Sequence, residues 1–328
     1  MIELYPFRFK TIFKEKIWGG EKIKTVLGKN YGSYRNCGEA WEISGVAGDT
    51  SEITNGTLRG KLLTDLISVY RDQIVGNAVF EKFGCKFPLL VKFIDANDDL
   101  SIQVHPGDEL ALKTHNSLGK TEMWYVVQAD EGASLISGFN RDMDANTYTS
   151  HLNSGSLPEI LNQETAKKGD VFFLPAGRIH TIGKGLLIAE IQQTSDITYR
   201  IYDYDRVDDD GNKRELHTED ALTAINFNYY PNYKTKYSVK RNDVIKVVSC
   251  PYFTTNIIDG SKKLSRNYGR LDSFVILICV EGELYVLWKR HQPIYLKIGE
   301  CLLIPNVIKE ITIRPIQKFK LLESYIEN

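Results

Sequence analysis

The sequence predicts a mostly β protein with two small β-barrels in tandem and a small α-helical insertion. Residues from Gly169 to His180 have the pattern of a strand, a tight turn and a second strand, because glycine and proline bound an apolar run. The stretch from Gly299 to Pro305 repeats the glycine-to-proline spacing of Gly169 to Pro175. Strand-like alternation of apolar residues also fills residues 87–127. These three observations indicate a β fold with an internal repeat.

Helical spacing is confined to two segments of the sequence. Leu63, Leu66 and Ile67 recur at helical intervals within residues 60–83, and the apolar residues of 141–166 do the same. Residues 1–60 predict short strands and turns, and residues 228–240 predict a linker. Only strands are expected after it, at residues 243–249, 252–258, 273–280, 283–288, 301–304 and 309–315. We therefore expect one domain over residues 1–235, with helical insertions at about 60–83 and 141–166, and a second over 236–328.

The bulk composition excludes several classes of function. The 328 residues carry a formal net charge of −1, so neither nucleic acid nor a membrane surface is an expected partner. The N-terminus resembles no signal peptide, and a cytoplasmic location is expected. The five cysteines have no Cys-x-x-Cys spacing and predict structural thiols. Residues 208–210 imitate part of a calcium loop, but its spacing and closing glutamate are missing, so a solvated turn is predicted.

Four side chains offer the nitrogen and oxygen ligands of a metal site. Gln103 and His105 lie two residues apart in a strand-like run and therefore point to the same face of the strand. Glu122 begins another strand-like run, and His180 follows the turn described above. If these strands close one small barrel, the four ligands converge with an open coordination position. Such a donor set suits zinc and also accepts manganese, iron or cobalt.

Several stretches also resemble a known family. The order Gly, five residues, Pro, one residue, Gly, two residues, His is the second motif of the cupins, and residues 169–180 match it in full. A Gln-x-His-Pro strand followed by a Lys-x-Glu-Met-Trp strand resembles the type I mannose-6-phosphate isomerases in their compact bacterial form. Further stretches match that family in order, at residues 17–20, 38–44, 88–92, 97–106 and 190–200.

The resemblance implies the fold, the cofactor and the reaction. Each barrel would be a double-stranded β-helix of the cupin or jelly-roll type, and the first would hold one zinc ion per chain. The implied activity is an aldose–ketose isomerase that interconverts mannose 6-phosphate and fructose 6-phosphate through a cis-enediol. We expect a monomer or a weak homodimer.

The resemblance also implies roles for single residues. Arg200 would stabilise the enediolate, and Glu190 would act as a base or orient one. Substrate-binding roles are implied for Lys120, Asp196, Trp18 and Arg206. Arg206 stands where the longer eukaryotic form has a lysine; a guanidinium binds phosphate but does not transfer protons near neutral pH.

The residues by themselves leave structural alternatives open. Trp18 could be a core aromatic, Glu190 and Arg200 could form a structural ion pair, and His115 is expected to be exposed rather than a ligand. In the C-terminal repeat Glu310 takes the position of His180, which predicts a second barrel without metal. Two other functions fit a cupin: another metal-dependent enzyme, such as a dioxygenase or a different sugar isomerase, and a non-catalytic sugar-phosphate-binding protein.

Overall fold

The computed structural model describes residues 2–207 and 210–327, and most of their regular structure is strand. Strands account for 38% of the chain and helices for 16%, which confirms the prediction of a mostly β protein. The first eleven strands are β1 Ile12–Gly20, β2 Cys37–Ile43, β3 Leu89–Ala96, β4 Ile102–Val104, β5 Glu122–Ala129, β6 Ser134–Phe139, β7 Leu161–Thr165, β8 Val171–Leu174, β9 His180–Ile182, β10 Leu186–Gln193 and β11 Tyr199–Tyr202. The C-terminal strands are β12 Val244–Ser249, β13 Thr254–Gly260, β14 Leu264–Asn267, β15 Val275–Glu281, β16 Glu283–Leu287, β17 Ile294–Lys297, β18 Cys301–Ile304, β19 Glu310–Pro315 and β20 Phe319–Tyr325.

The helices are short and connect or cover the sheets. They are α1 Lys22–Thr25, α2 Leu63–Tyr70, α3 Asp72–Val75, α4 Asn77–Phe83, α5 Asp108–His115, α6 Ala145–Asn153 and α7 Thr218–Ala224, with a 3₁₀ turn at Leu157–Ile160. Helices α2 to α4 confirm the predicted helical segment at residues 60–83. Among the described residues, no helix combines the length and the apolar character that crossing a membrane would require.

The strands form four sheets whose hydrogen-bonded pairs are antiparallel. In the N-terminal half, the order β1-β2-β3-β10-β5-β8 gives a six-stranded sheet and β11-β4-β9-β6-β7 a five-stranded one. In the C-terminal half, the orders are β12-β13-β20-β15-β18 and β14-β19-β16-β17. Strand β11 is therefore an edge strand, which matters for the site described below.

Alternate faces of the central strands pack against different cores, so the sheets form layers. On β10, Ile188 faces the core shared with the five-stranded sheet of its own half, and Ala189 faces the C-terminal half. On β20, Leu321 and Leu322 divide between two cores in the same way. One continuous core thus joins the two halves. Closure of each sheet pair into a double-stranded β-helix, and a boundary at residue 235, stay predictions.

Two expectations about secondary structure are wrong. Residues 161–165 were expected to be helical, but they form β7, which pairs with β6; α6 already ends at Asn153, and the 3₁₀ turn that follows, with Pro158 in its first turn, ends at Ile160. In the C-terminal half, strands β14, β17 and β20 were not expected. The six strands that were predicted there are all present, with bounds shifted by up to two residues at either end. Residues 208 and 209 of the predicted solvated turn lie outside the described residues.

Candidate active site and metal centre

Three of the four predicted metal ligands lie together in the interior of the N-terminal half. His105 directly follows β4, Glu122 begins β5 and His180 begins β9, so two different sheets supply the group. One ligand atom from each of the three lies within 4.8 Å of the others, and all three side chains are buried. Gln103 on β4 pairs in register with His180, and its amide Nε2 lies 3.4 Å from His180 Nε2. A half-turn of that amide would present its oxygen instead.

Backbone carbonyls orient the two imidazole rings. His105 Nδ1 lies 2.9 Å from the carbonyl oxygen of Ile197, and His180 Nδ1 lies 2.7 Å from that of Arg178. Because a carbonyl only accepts, each Nδ1 carries the proton and each Nε2 keeps its lone pair. Burial lowers the pKa of His180 to about 4, and burial together with the ammonium of Lys120 holds the pKa of His105 well below its usual range. Both rings are therefore neutral at pH 7, which is the form that binds metals.

The carboxylate of Glu122 completes a donor set suited to a divalent cation. Its oxygens lie 3.3 Å from His180 Nε2 and 3.6 Å from His105 Nε2. Both oxygens are buried and accept no hydrogen bond, although a buried carboxylate without such bonds is costly. The ammonium of Lys120 lies 3.1 Å from Glu122 Oε2 and 3.0 Å from His105 Nε2, so the group already attracts a cation. Two imidazole nitrogens and a carboxylate fit zinc or a related metal.

A cavity of about 250 Å³ adjoins these residues. Gln103 and Lys120 belong both to its wall and to the contacts of the histidine–glutamate group. Five of the lining side chains are cationic, namely Lys16, Lys92, Lys120, Arg200 and Arg214, and three are acidic, namely Glu39, Glu190 and Asp196. The excess of positive charge suits an anionic ligand.

The cavity brings together most of the residues that the sequence singled out for substrate. Trp18, Lys120, Asp196, Glu190 and Arg200 all line it. Trp18 is also almost fully buried and packs in the core between the two N-terminal sheets. It therefore belongs both to the cavity wall and to the core. The proposed substrate contacts thus share one cavity, which borders the metal-ligand group.

Glu190 is held by groups other than Arg200. On β10, its Oε2 accepts a hydrogen bond of 2.7 Å from Trp124 Nε1, and its Oε1 lies 3.2 Å from Lys92 Nζ. Burial and the nearby Glu122 carboxylate raise the pKa of Glu190 despite Lys92. In the part of the chain that the structure describes, no ion pair joins Glu190 to Arg200. The structural ion pair considered from the sequence is therefore not formed.

Lys92 and Glu39 are cavity residues that the sequence analysis missed. Lys92 lies between the two acids, 3.2 Å from Glu190 and 3.9 Å from Glu39. Trp41 Nε1 donates a hydrogen bond of 2.6 Å to Glu39. A signal was present, because Lys92 is a charged residue inside the apolar run of β3 and such residues are seldom fully buried without a partner.

Arg200 reaches the cavity from the edge strand β11. Its Nη1 donates a hydrogen bond of 2.8 Å to the carbonyl oxygen of Glu215, and its Nε is buried without a partner. Burial and repulsion by Arg214 lower the pKa of Arg200. In register, Arg200 lies opposite Gln103, which places it beside the metal-ligand group.

Arg206 does not line the cavity, whereas Arg214 does. Arg206 binds the side chain of Asp203 with Nη2 at 2.5 Å, and it also binds the carbonyl oxygens of Asp203 and Asp99. Arg214 Nε donates to the other oxygen of Asp203 at 2.7 Å. Asp203 therefore holds both arginines, and only the second, which the sequence analysis missed, presents its charge to the cavity.

His115, at the end of α5, is exposed as expected. Its Nε2 lies 2.8 Å from the hydroxyl of Tyr199 rather than near the ligand atoms of His105, Glu122 and His180. It therefore does not belong to the metal-ligand group.

Comparison with known proteins adds three findings. Residues 6–132 match the family model described as the catalytic domain of type I phosphomannose isomerase. The mannose-6-phosphate isomerase of Streptococcus mutans is 36% identical over 307 residues, which is 93% of each chain, and ManA of Bacillus subtilis is 36% identical over 85% of this chain and 86% of its own. The crystal structure of the mannose 6-phosphate isomerase from Bacillus subtilis superposes with a TM-score of 0.87 at 32% identity, covering 97% of this chain and 99% of that one.

Proposed function

The chain belongs to the type I mannose-6-phosphate isomerases, and from that premise we propose that it interconverts mannose 6-phosphate and fructose 6-phosphate with one zinc ion. The observation that carries the proposal is the position of Lys120. Its ammonium contacts His105 and Glu122 and also lines the cationic cavity, so the metal-ligand group and the substrate cavity form one site.

Gln103, His105, Glu122 and His180 would hold the metal. When bound there, a divalent cation acts as a Lewis acid toward the oxygens on carbons 1 and 2 of the open-chain sugar. The donor set supports this assignment because both Nε2 atoms and both Glu122 oxygens face one another. Among the described residues, the hydrogen-bond donors beside these atoms are Lys120 and the Gln103 amide. No cysteine takes part, as is typical of catalytic zinc sites.

Arg200 stabilises the charge that develops on the enediolate oxygens. Two observations support this role: Arg200 lines the cavity, and in register it lies opposite Gln103, one of the proposed metal ligands. Its buried Nε has no hydrogen-bond partner among the described residues, so it can donate to a substrate oxygen. A preorganised donor of this kind lowers the barrier because it needs no reorientation as charge develops.

Glu190 moves the proton between the two carbons. It takes the proton from carbon 2 of mannose 6-phosphate, which forms the cis-enediol, and returns it to carbon 1 of that intermediate, while the proton of the carbon-2 hydroxyl passes to the oxygen on carbon 1, which gives fructose 6-phosphate. Its raised pKa suits this exchange, because a general base works best when its pKa approaches the working pH. Trp124 donates a hydrogen bond to one oxygen of the carboxylate and Lys92 lies beside the other, so the two residues fix its orientation.

Arg214 and Lys16 supply positive charge for the phosphate, while Asp196 and Trp18 bind the sugar hydroxyls and ring carbons. Arg214 takes the phosphate-binding role expected of Arg206, because the guanidinium of Arg206 donates its hydrogen bonds to Asp203 and Asp99. A guanidinium that keeps one edge on Asp203 can still offer the other to a phosphate oxygen.

The experiment is a coupled assay that converts mannose 6-phosphate to fructose 6-phosphate and reads the product. The protein is stripped with a chelator and reloaded separately with zinc, manganese, cobalt or ferrous iron. Zinc is expected to restore turnover, and unphosphorylated mannose is expected to be a much poorer substrate. A folded, metal-loaded protein without turnover would contradict the proposal, and oxygen consumption with iron would favour the dioxygenase alternative.

A further inference from the structure

At Arg200, the outer edge of β11 is hydrogen-bonded to one histidine, His217. Strand β11 lies at the end of its sheet and has β4 as its only neighbouring strand in the described part of the chain. At Arg200, the main-chain N–H of His217 donates to the Arg200 carbonyl oxygen at 2.7 Å. The Arg200 N–H in turn donates to the ring nitrogen Nδ1 of His217 at 3.2 Å. Both main-chain groups of Arg200 are thus occupied on the side away from β4.

This pair imitates an antiparallel partner. In a hydrogen-bonded antiparallel pair, two residues exchange both N–H···O bonds. Here His217 provides the donor from its main chain, and its imidazole replaces the carbonyl as the acceptor. The same segment holds the side chain as well, because the Glu215 carbonyl oxygen accepts from Arg200 Nη1 at 2.8 Å. The main chain and the guanidinium of Arg200 are therefore fixed from one short stretch of chain.

We propose that His217 is a positioning residue for catalysis, which holds Arg200 in its reactive orientation through the ring nitrogen Nδ1. The proposal rests on the role proposed above for Arg200. An edge residue without this pair could change its main-chain angles, and the guanidinium at the end of a long side chain would move by more than the main chain does. A misplacement of about 1 Å in an active site costs on the order of a hundredfold in rate.

The ring accepts only while Nδ1 carries no proton. In that form the proton is on Nε2, which lies 3.9 Å from the exposed carboxylate of Glu215. The ring of Tyr199 lies 6.3 Å away between centroids, and helix α7 begins at the residue after His217. A side chain without an acceptor at this position would leave the Arg200 N–H unpaired on the outer side of the strand.

The test compares His217→Asn, His217→Gln and His217→Ala with the wild-type enzyme. The asparagine Oδ1 stands as many bonds from Cα as Nδ1 does, accepts a hydrogen bond and does not titrate, whereas glutamine places its oxygen one bond farther out. We expect kcat for mannose 6-phosphate to fall about 10- to 100-fold in the alanine and glutamine variants, with KM within about threefold, and to stay within about threefold in the asparagine variant. His151→Ala, on α6, is the matched control and should keep wild-type kinetics.

Two readouts separate positioning from plain stability. The first is kcat, which should follow the acceptor position and therefore be kept in His217→Asn and lost in His217→Gln; the second is the melting temperature, which should not track that difference. A lower melting temperature with wild-type kcat in the alanine variant would overturn the proposal, as would equal losses in the asparagine and glutamine variants. If wild-type protein fails to isomerise mannose 6-phosphate, the proposed function fails first. If the wild type turns over and His217→Ala and His217→Gln keep its kcat, the inference about His217 alone is wrong.

Discussion

Glu323 in the C-terminal half occupies the same sheet position as Glu190 in the N-terminal half. Each lies on an inner strand, the third from the end of its sheet that carries the repeated Gly-to-Pro stretch. One strand separates each glutamate from the third residue after the glycine of that stretch. The two series of paired residues are Glu190, Trp124 and Phe172 in one half and Glu323, Leu277 and Leu302 in the other. Both glutamates are buried, and Arg266 binds Glu323 with two hydrogen bonds of 2.8 and 2.7 Å. The internal repeat therefore extends beyond the stretch in which the sequence reveals it.

The same correspondence places apolar residues where the first half has two of its candidate metal ligands. Leu174 and Ile304 are equivalent positions of the repeated stretch. Leu174 pairs with Glu122, whereas Ile304 pairs with Val275. Glu310, which aligns with His180 in sequence, is exposed, while the next residue, Ile311, faces the core. A valine and an isoleucine thus replace a carboxylate and an imidazole.

We expect the wild-type protein to bind one equivalent of metal per chain and the Glu122→Ala variant to lose it. Glu122→Ala should lower the metal content of protein reloaded with zinc and then dialysed by at least about tenfold, because the two imidazoles and the Gln103 amide are all neutral and bind weakly without the carboxylate. His115→Ala removes a histidine outside the ligand group and should keep the full equivalent. Elemental analysis decides the matter; two equivalents in the wild type, or equal loss in both variants, would contradict the assignment.

Arg214 should matter for substrate affinity more than for turnover. Arg214→Met removes one charge-assisted contact to the phosphate, each worth about 1.5–3 kcal/mol, so KM for mannose 6-phosphate should rise roughly 10- to 100-fold. The inhibition constant of inorganic phosphate should rise with it. The matched control is the neighbouring Lys213→Met, whose ammonium is exposed and pairs with Asp205. An unchanged KM in the arginine variant would remove Arg214 from the phosphate site.

The network around Glu39 should make stability depend on pH. Burial alone raises the pKa of Glu39, but Lys92, Lys16 and the Trp41 N–H outweigh it and bring the pKa to about 2. A carboxyl whose pKa is lower in the folded state stabilises the fold above its unfolded value of about 4.5 and loses that contribution as the pH falls toward 2. Glu39→Gln should therefore cost about 3 kcal/mol at pH 7.

The difference in the free energy of unfolding between the wild type and Glu39→Gln should become smaller as the pH falls below 4.5. Urea unfolding of both proteins at pH 7, 4.5 and 3 measures it, with the exposed Glu109→Gln as a control that changes the free energy of unfolding by less than about 0.5 kcal/mol. A gap that stays constant down to pH 3 would show that the Glu39 carboxylate is not held in its charged form.

The core between the halves should couple their unfolding. Phe274 is fully buried, and its ring lies 4.8 Å from that of Phe87, which belongs to the other half. Phe274→Ala should destabilise the protein by about 3–5 kcal/mol and keep a single unfolding transition, because both halves lose the same core. Ile316→Ala, at a half-exposed position, should change little. Two separate transitions in the wild type would contradict a shared core.

The parts of the site that were predictable lie on strands with a clear signal. Gln103 and His105 follow from strand parity, and His180 from a turn bounded by proline and glycine, so the sequence carries their positions directly. Strand β20 was missed because it is buried on both faces and therefore does not alternate, and Glu323 interrupts its apolar run. Arg214 and His217 could not be predicted from local pattern. They lie near Arg200 only because the polar loop after β11 folds back toward that strand. Asp203 binds both Arg206 and Arg214, and its contacts leave Arg214 facing the cavity.

The most direct test of the active-site assignment is the kcat of Arg200→Ala for mannose 6-phosphate, measured with zinc content and melting temperature on the same sample. The account predicts a fall of about 10²–10³-fold at unchanged zinc content. Little loss of stability is expected, because repulsion from Arg214 already disfavours the charged Arg200. Arg241→Ala, at an exposed position of the C-terminal half, should retain wild-type turnover. An Arg200→Ala enzyme with full zinc and kcat within about threefold of the wild type would contradict the assignment of this cavity as the active site.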